Sequence, residues 1–244
     1  MADVCIGQID ALYRKKTMRL DSDGQRRSHC SLAFVPGFNQ TDERQQTPLE
    51  DHDVTRKDDL ALLREFTTSE SLIRHMFAVE AAMRAYADRF GHDEATWGTV
   101  GLLHDFDYQK WPDPPDHPLK GAAILAERGY SDEIIYAIKS HADYLDDCPR
   151  VSLMDKALYA CDELSGFVSA CALVRPGRLE GLTPKSVRRK MKQASFAAAI
   201  HRDDIVRGAE DLGVDLNEHI AFVIAAMQSI AEELGLVAAE QVDP

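Results

Sequence analysis

Gly101 to Ala122 reads GLLHDFDYQKWPDPPDHPLKGA, and this stretch decides how the rest of the chain is understood. An apolar run ends in His104-Asp105, and a loop rich in proline and aspartate then delivers His117. A lone His-Asp pair carries little information, since GHDEA at Gly91 to Ala95 contains another. The pair becomes informative only if distant segments supply partners for it on buried faces.

Helical patterns surround the stretch on both sides. From Ser71 to Phe90, Leu72, Met76, Val79, Ala82 and Met83 recur at helical spacing, and Gly91 ends the run. Glu94 to His104 follows, with Asp93 as N-cap. Proline suits a first helical turn, so His117-Pro118 begins a helix that ends at Gly129. Ser131 caps a segment from Asp132 to Tyr144. Ser152 to Val174 reads as a long apolar helix closed by Arg175-Pro176-Gly177. Asp58 to Phe66 precedes the series; a basic helix opening at Thr183-Pro184, then Arg202 to Leu212 and Leu216 to Leu234, complete it. No strong alternating pattern of a strand is present. The expectation is an all-α helical bundle over residues 58–244. Before it, residues 1–57 are polar and turn-rich, and read as a loosely ordered extension with a short helix near Ile9 to Met18.

Composition narrows the function. With 45% hydrophobic residues among 244, the chain can build a sizeable core. Its apolar runs fall short of the ~20 residues that a membrane span needs. Asp3, Asp10 and Arg14-Lys15-Lys16 interrupt the first twenty residues, so no secretory leader is expected. Five cysteines at 5, 30, 148, 161 and 171, without a CxxC, suit reduced thiols and a cytoplasmic location. A formal charge of −13 argues against a nucleic-acid polymer or an anionic membrane as partner. A small anionic substrate needs only one local basic patch.

Placed on these helices, the candidate ligands point inward. His75 shares a face with Leu72, Val79 and Ala82. His104 follows Val100 and Leu103, with Asp105 adjacent. His141 continues the stripe of Ile134, Ala137 and Ile138, and Asp162 sits inside the apolar ALYACDELSGFVSACAL. A buried aspartate is costly unless it is paired or binds a metal, and His/Asp sets suit divalent first-row ions. Singly, a histidine on an apolar face is more often a satisfied core residue. His219 is read that way, His92 as a loop residue, and His29, His52 and His201 receive no role.

The order His75, His104-Asp105, His117, His141, Asp162 resembles the HD-domain superfamily of metal-dependent phosphohydrolases, over roughly Ser71 to Val174. The resemblance implies that His75, His104, Asp105 and Asp162 hold one metal. It implies further that His117 and His141 complete a second site with Asp105 bridging, with Fe, Mn or Mg as the ion. Asp105 and His104 are then the residues nearest the chemistry. Many two-metal members carry a lysine four residues after the first residue of the pair; here that position is Tyr108, with Lys110 nearby. The expected reaction is hydrolysis of a small phosphate ester, a nucleotide among the candidates. The alternatives are a diiron oxygenase of HD type and a non-catalytic metal- or nucleotide-binding module. Asp107 or Asp143 could relay a proton, although both read first as loop or surface carboxylates. For the substrate phosphate, the spacing offers Arg188 and Arg189 on the cationic face of TPKSVRRKMKQ, the resemblance points to Tyr108 and Lys110, and Lys120 is a weaker candidate that reads first as a surface residue. Self-association into a homo-oligomer is left open.

Overall fold

The computed structural model describes residues 55–238. Nine α-helices occur among them: α1 (Arg56–Phe66), α2 (Glu70–Phe90), α3 (Glu94–Leu103), α4 (Asp116–Glu127), α5 (Asp132–Ser140), α6 (Leu153–Leu173), α7 (Pro184–Met191), α8 (Arg202–Leu212) and α9 (Leu216–Gln228). No strand occurs among the described residues, as the all-α reading expected. The extension read over residues 1–57 lies outside the described residues except at 55–57. Of these, Thr55 is the N-cap of α1, and Arg56 and Lys57 already belong to that helix.

The helix ends follow from local chemistry. The Asp93 carboxylate accepts the Thr96 N–H at 2.6 Å, and Ser131 Oγ accepts that of Ile134. Ser152 and Asp155 form a reciprocal capping box at the start of α6. Gly91 closes α2 at φ 72°, a left-handed conformation that costs glycine nothing. Two helices are shorter than their apolar patterns suggest. α5 stops at Ser140, not Tyr144, because its continuation is held by side chains: Asp143 by Arg150, Arg207 and Tyr159, and Tyr144 through its hydroxyl to the His117 carbonyl. α9 stops at Gln228, and turns lead from there to Gly235 at φ 65°.

The two 21-residue helices, α2 and α6, form the centre. α3 packs along α2, α8 along α6, and α9 touches both central helices. Polar ties are few and well matched. Glu80 receives a two-pronged contact from Arg56 at 2.6 and 2.9 Å and a third from Arg84. Buried Asp59 accepts from Thr99 at 2.6 Å and Tyr130 at 2.7 Å, joining α1 to α3 and to the turn before α5. His219 behaves as a core histidine: Tyr86 donates to its Nδ1, its Nε2 donates to the Ala160 carbonyl, and burial lowers its pKa to about 4.

α3 lies so close to α2 that a Cβ on Gly101 would sit 2.8 Å from the Glu80 Cα. That is backbone, which cannot swing aside. Gly101→Ala should therefore destabilise the protein by about 1–3 kcal/mol, the usual cost of overfilling a packed interface. Urea unfolding checks this, and an unchanged midpoint would mean that α3 has room to slide.

Candidate metal centre

Five segments deliver six side chains to one buried volume. His75 comes from the second turn of α2 and Asp162 from the middle of α6; their Nε2 and Oδ1 atoms are 3.0 Å apart. His104 caps α3 and Asp105 follows it, so the pair leaves the helix just where backbone carbonyls lose their partners. His104 Nδ1 uses one of these, donating to the Gly101 carbonyl at 2.9 Å. His141 caps α5 in the same manner, with Nδ1 donating to the Ile138 carbonyl. His117 precedes Pro118, which forces it out of helical geometry to φ −80°, ψ 135°. That extended residue turns its ring inward.

The central group is Asp105. Its Oδ2 lies 3.5 Å from His104 Nε2, and its Oδ1 lies 3.2 Å from His117 Nε2 and 3.3 Å from His141 Nε2. Two ligand sets result, each with its donor atoms within 4.8 Å of one another: His75, His104, Asp105 and Asp162; and Asp105, His117 and His141. Asp105 belongs to both. All six residues are buried.

The protonation logic explains what such a site needs. A carbonyl or carboxylate oxygen only accepts, so Nδ1 of His104, His117 and His141 must each carry the proton. In a neutral ring Nε2 is then a lone pair, and each of these lone pairs faces a carboxylate oxygen. Acceptor against acceptor is repulsive unless a cation stands between them. Nε2 of His104 and of His117 are buried without a hydrogen bond. Without metal the nearest substitute is a proton. Burial pushes the His104 pKa down, but Asp105 and Asp162 overcome it and raise the value to about 10; Asp105 and Asp107 likewise raise His117 against its burial. The donor set of imidazole nitrogen and carboxylate oxygen fits a first-row divalent ion.

Residues 72–166 match the family model described as HD domain. Over this segment the chain is similar to the HD domain family. No solved structure matches the chain. The matched segment runs from α2 into α6 and so contains all six residues of the cluster.

The matched segment also holds a residue that the sequence alone does not single out. Asp107 is not a surface carboxylate: it is 1% exposed. Its Oδ1 accepts His117 Nδ1 at 2.8 Å and its Oδ2 accepts the Gly121 N–H at 2.8 Å. It thereby fixes the tautomer and the direction of His117, as carboxylates behind metal-binding histidines do. The repeated aspartate in HDFD was the available signal, hidden by the polar loop that follows. Asp143, in turn, is engaged by Arg150, Arg207 and Tyr159.

The other sequence candidates fall in different places. Tyr108 is buried with its ring edge-on to His117, centroids 5.1 Å apart. Lys110 leans over the Phe66 ring at 3.7 Å. Lys120 is exposed on α4. Arg188 and Arg189 line a groove on α7 that shares no residue with the cluster. Replacing Asp107 with asparagine keeps the volume but turns an amide N–H₂ toward one of its two donors. Asp107→Asn should cost about 1–3 kcal/mol in denaturant unfolding of the metal-free protein, the price of one buried unpaired donor. No loss of stability would show that His117 is oriented by something else.

Proposed function

We propose that this HD domain binds two divalent ions across Asp105 and hydrolyses a small phosphate ester, a nucleotide being one candidate. The observation that carries the reading is the division of the Asp105 carboxylate, one oxygen toward His104 and the other toward His117 and His141. A carboxylate that serves a single ion has no need of a second histidine pair on its far oxygen. The superfamily to which HD domains belong, that of metal-dependent phosphohydrolases, is consistent with the same chemistry.

In this reading His75, His104, Asp105 and Asp162 hold the first ion, and Asp105, His117 and His141 the second. Divalent ions bound there supply positive charge for a phosphoryl group and lower the pKa of a bound water toward ~7. The chain's own contribution is positioning. Backbone carbonyls hold the His104 and His141 rings, and Asp107 holds His117, so each Nε2 lone pair is aimed before any ion arrives. Burial excludes bulk water from the carboxylates, which strengthens their hold on a cation. Asp107 and Asp143 act through the groups they anchor and are not assigned to proton transfer. Tyr108, edge-on to His117, stands where many two-metal members place a lysine, and it is the residue assigned to contact the substrate.

The test is turnover by full-length protein stripped with chelator and reloaded with Mn²⁺, Fe²⁺ or Mg²⁺, assayed anaerobically on phosphomonoesters and nucleotides. Release of inorganic phosphate that requires metal and not O₂ is expected. Turnover that demands both iron and O₂ would assign the site to oxygenase chemistry instead. Tight metal binding with no turnover across the panel would make the domain a binding module.

A further inference from the structure

α7 turns a face of one charge toward solvent. Lys185, Arg188, Arg189 and Lys192 recur at i, i+3, i+4 and i+7, so they lie on one side of the helix. Together with Pro184 and Asn217 they line an open groove of about 650 Å³, within the ~300–1,000 Å³ usual for small-ligand sites.

This face differs from an ordinary solvated one. Among the described residues, none of the four cations forms an ion pair. Elsewhere Arg56, Arg84, Arg128, Arg150 and Arg207 are all paired with carboxylates. No aspartate or glutamate among the described residues pairs with these four side chains. Like charges three and four residues apart repel on a helix, so the face carries an electrostatic cost that an anion would remove. The remaining lysine of α7 makes the contrast sharper: Lys190 packs over the Phe196 ring at 4.4 Å.

The groove also stands apart from the metal centre. It shares no residue with the His/Asp cluster. The cations are therefore better matched to a ligand of their own than to the substrate phosphate suggested by their spacing. They spread over about 10 Å of helix axis, more than one phosphate can cover. A linear chain of phosphates can engage all four, and Arg forks favour phosphate oxygens. Pro184 and the aliphatic stems of the lysines and arginines add an apolar wall against which a nucleoside could rest.

We propose that the α7 groove binds a linear polyphosphate, free or carried by a nucleotide, at a site separate from the metal centre. The inference does not depend on the hydrolase reading, because the binding it expects requires neither metal nor turnover. Calorimetric titration of full-length, chelator-treated protein with sodium triphosphate, and separately with adenosine triphosphate, should show one saturable site. Adenosine triphosphate should bind at least as tightly as triphosphate, and added salt should weaken both. Arg188→Gln/Arg189→Gln, with its helical circular dichroism intact, should weaken binding by at least about tenfold, the loss expected for two charge-assisted contacts. Asp105→Asn should leave the affinity unchanged. The proposal is overturned by absence of saturable binding or by an unchanged affinity in the double variant. It is equally overturned if binding appears only after metal is restored, which would seat the ligand at the metal centre, or if poly-glutamate binds equally well, which would leave no preference for phosphate.

Discussion

The structure depends on one buried carboxylate whose charge must be compensated. Asp105 is 1% exposed and faces three imidazole Nε2 atoms with its two oxygens. An ion that leaves water for such a site loses several kcal/mol of hydration even after the protein relaxes, and three lone pairs cannot return it. Either protons or metal ions must supply the positive charge. The raised pKa of His104 shows how strongly the site calls for cations.

Much of the surrounding architecture can be understood as support for that requirement. Gly101 lets α3 approach the α2 backbone at Glu80, which brings the end of α3, and hence His104, against His75 in the second turn of α2. Pro118 keeps His117 extended, and Asp107 holds its far nitrogen. α5 ends one residue before His141, so that His141 can bond to a carbonyl of its own last turn. α6 contributes Asp162 from its centre, where the flanking Cys161, Ser165 and Gly166 are small and buried. Three of the four histidines thus have one nitrogen committed to the fold and the other aimed at carboxylate.

The helices and the inward-facing ligands were legible because both rest on short-range rules. Apolar spacing places His75 and Asp162 on buried faces, and cap residues such as Asp93, Ser131, Ser152 and Thr183 mark the starts. What could not be read depends on contacts distant in sequence. The apolar stripe continues past Ser140, yet α5 stops there because Arg150 and Arg207 hold Asp143 from seven and 64 residues away. Asp107 looks like part of a polar loop until α4 folds back and presents Gly121 and His117 to it. The cationic spacing of α7 marks one helix face, but spacing along a helix contains nothing about which ligand that face meets.

The central claim is that Asp105 joins two ion sites, and elemental analysis of metal stoichiometry tests it most directly. Wild-type protein purified without chelators should hold two ions per chain. His141→Ala should hold one, because a terminal imidazole serves a single ion. Asp105→Ala should hold essentially none; a loss limited to the ~10–100-fold weakening typical of an indirect partner would not satisfy the claim. A single ion in the wild type, left in place by His141→Ala, would contradict the account and return His117 and His141 to ordinary buried histidines.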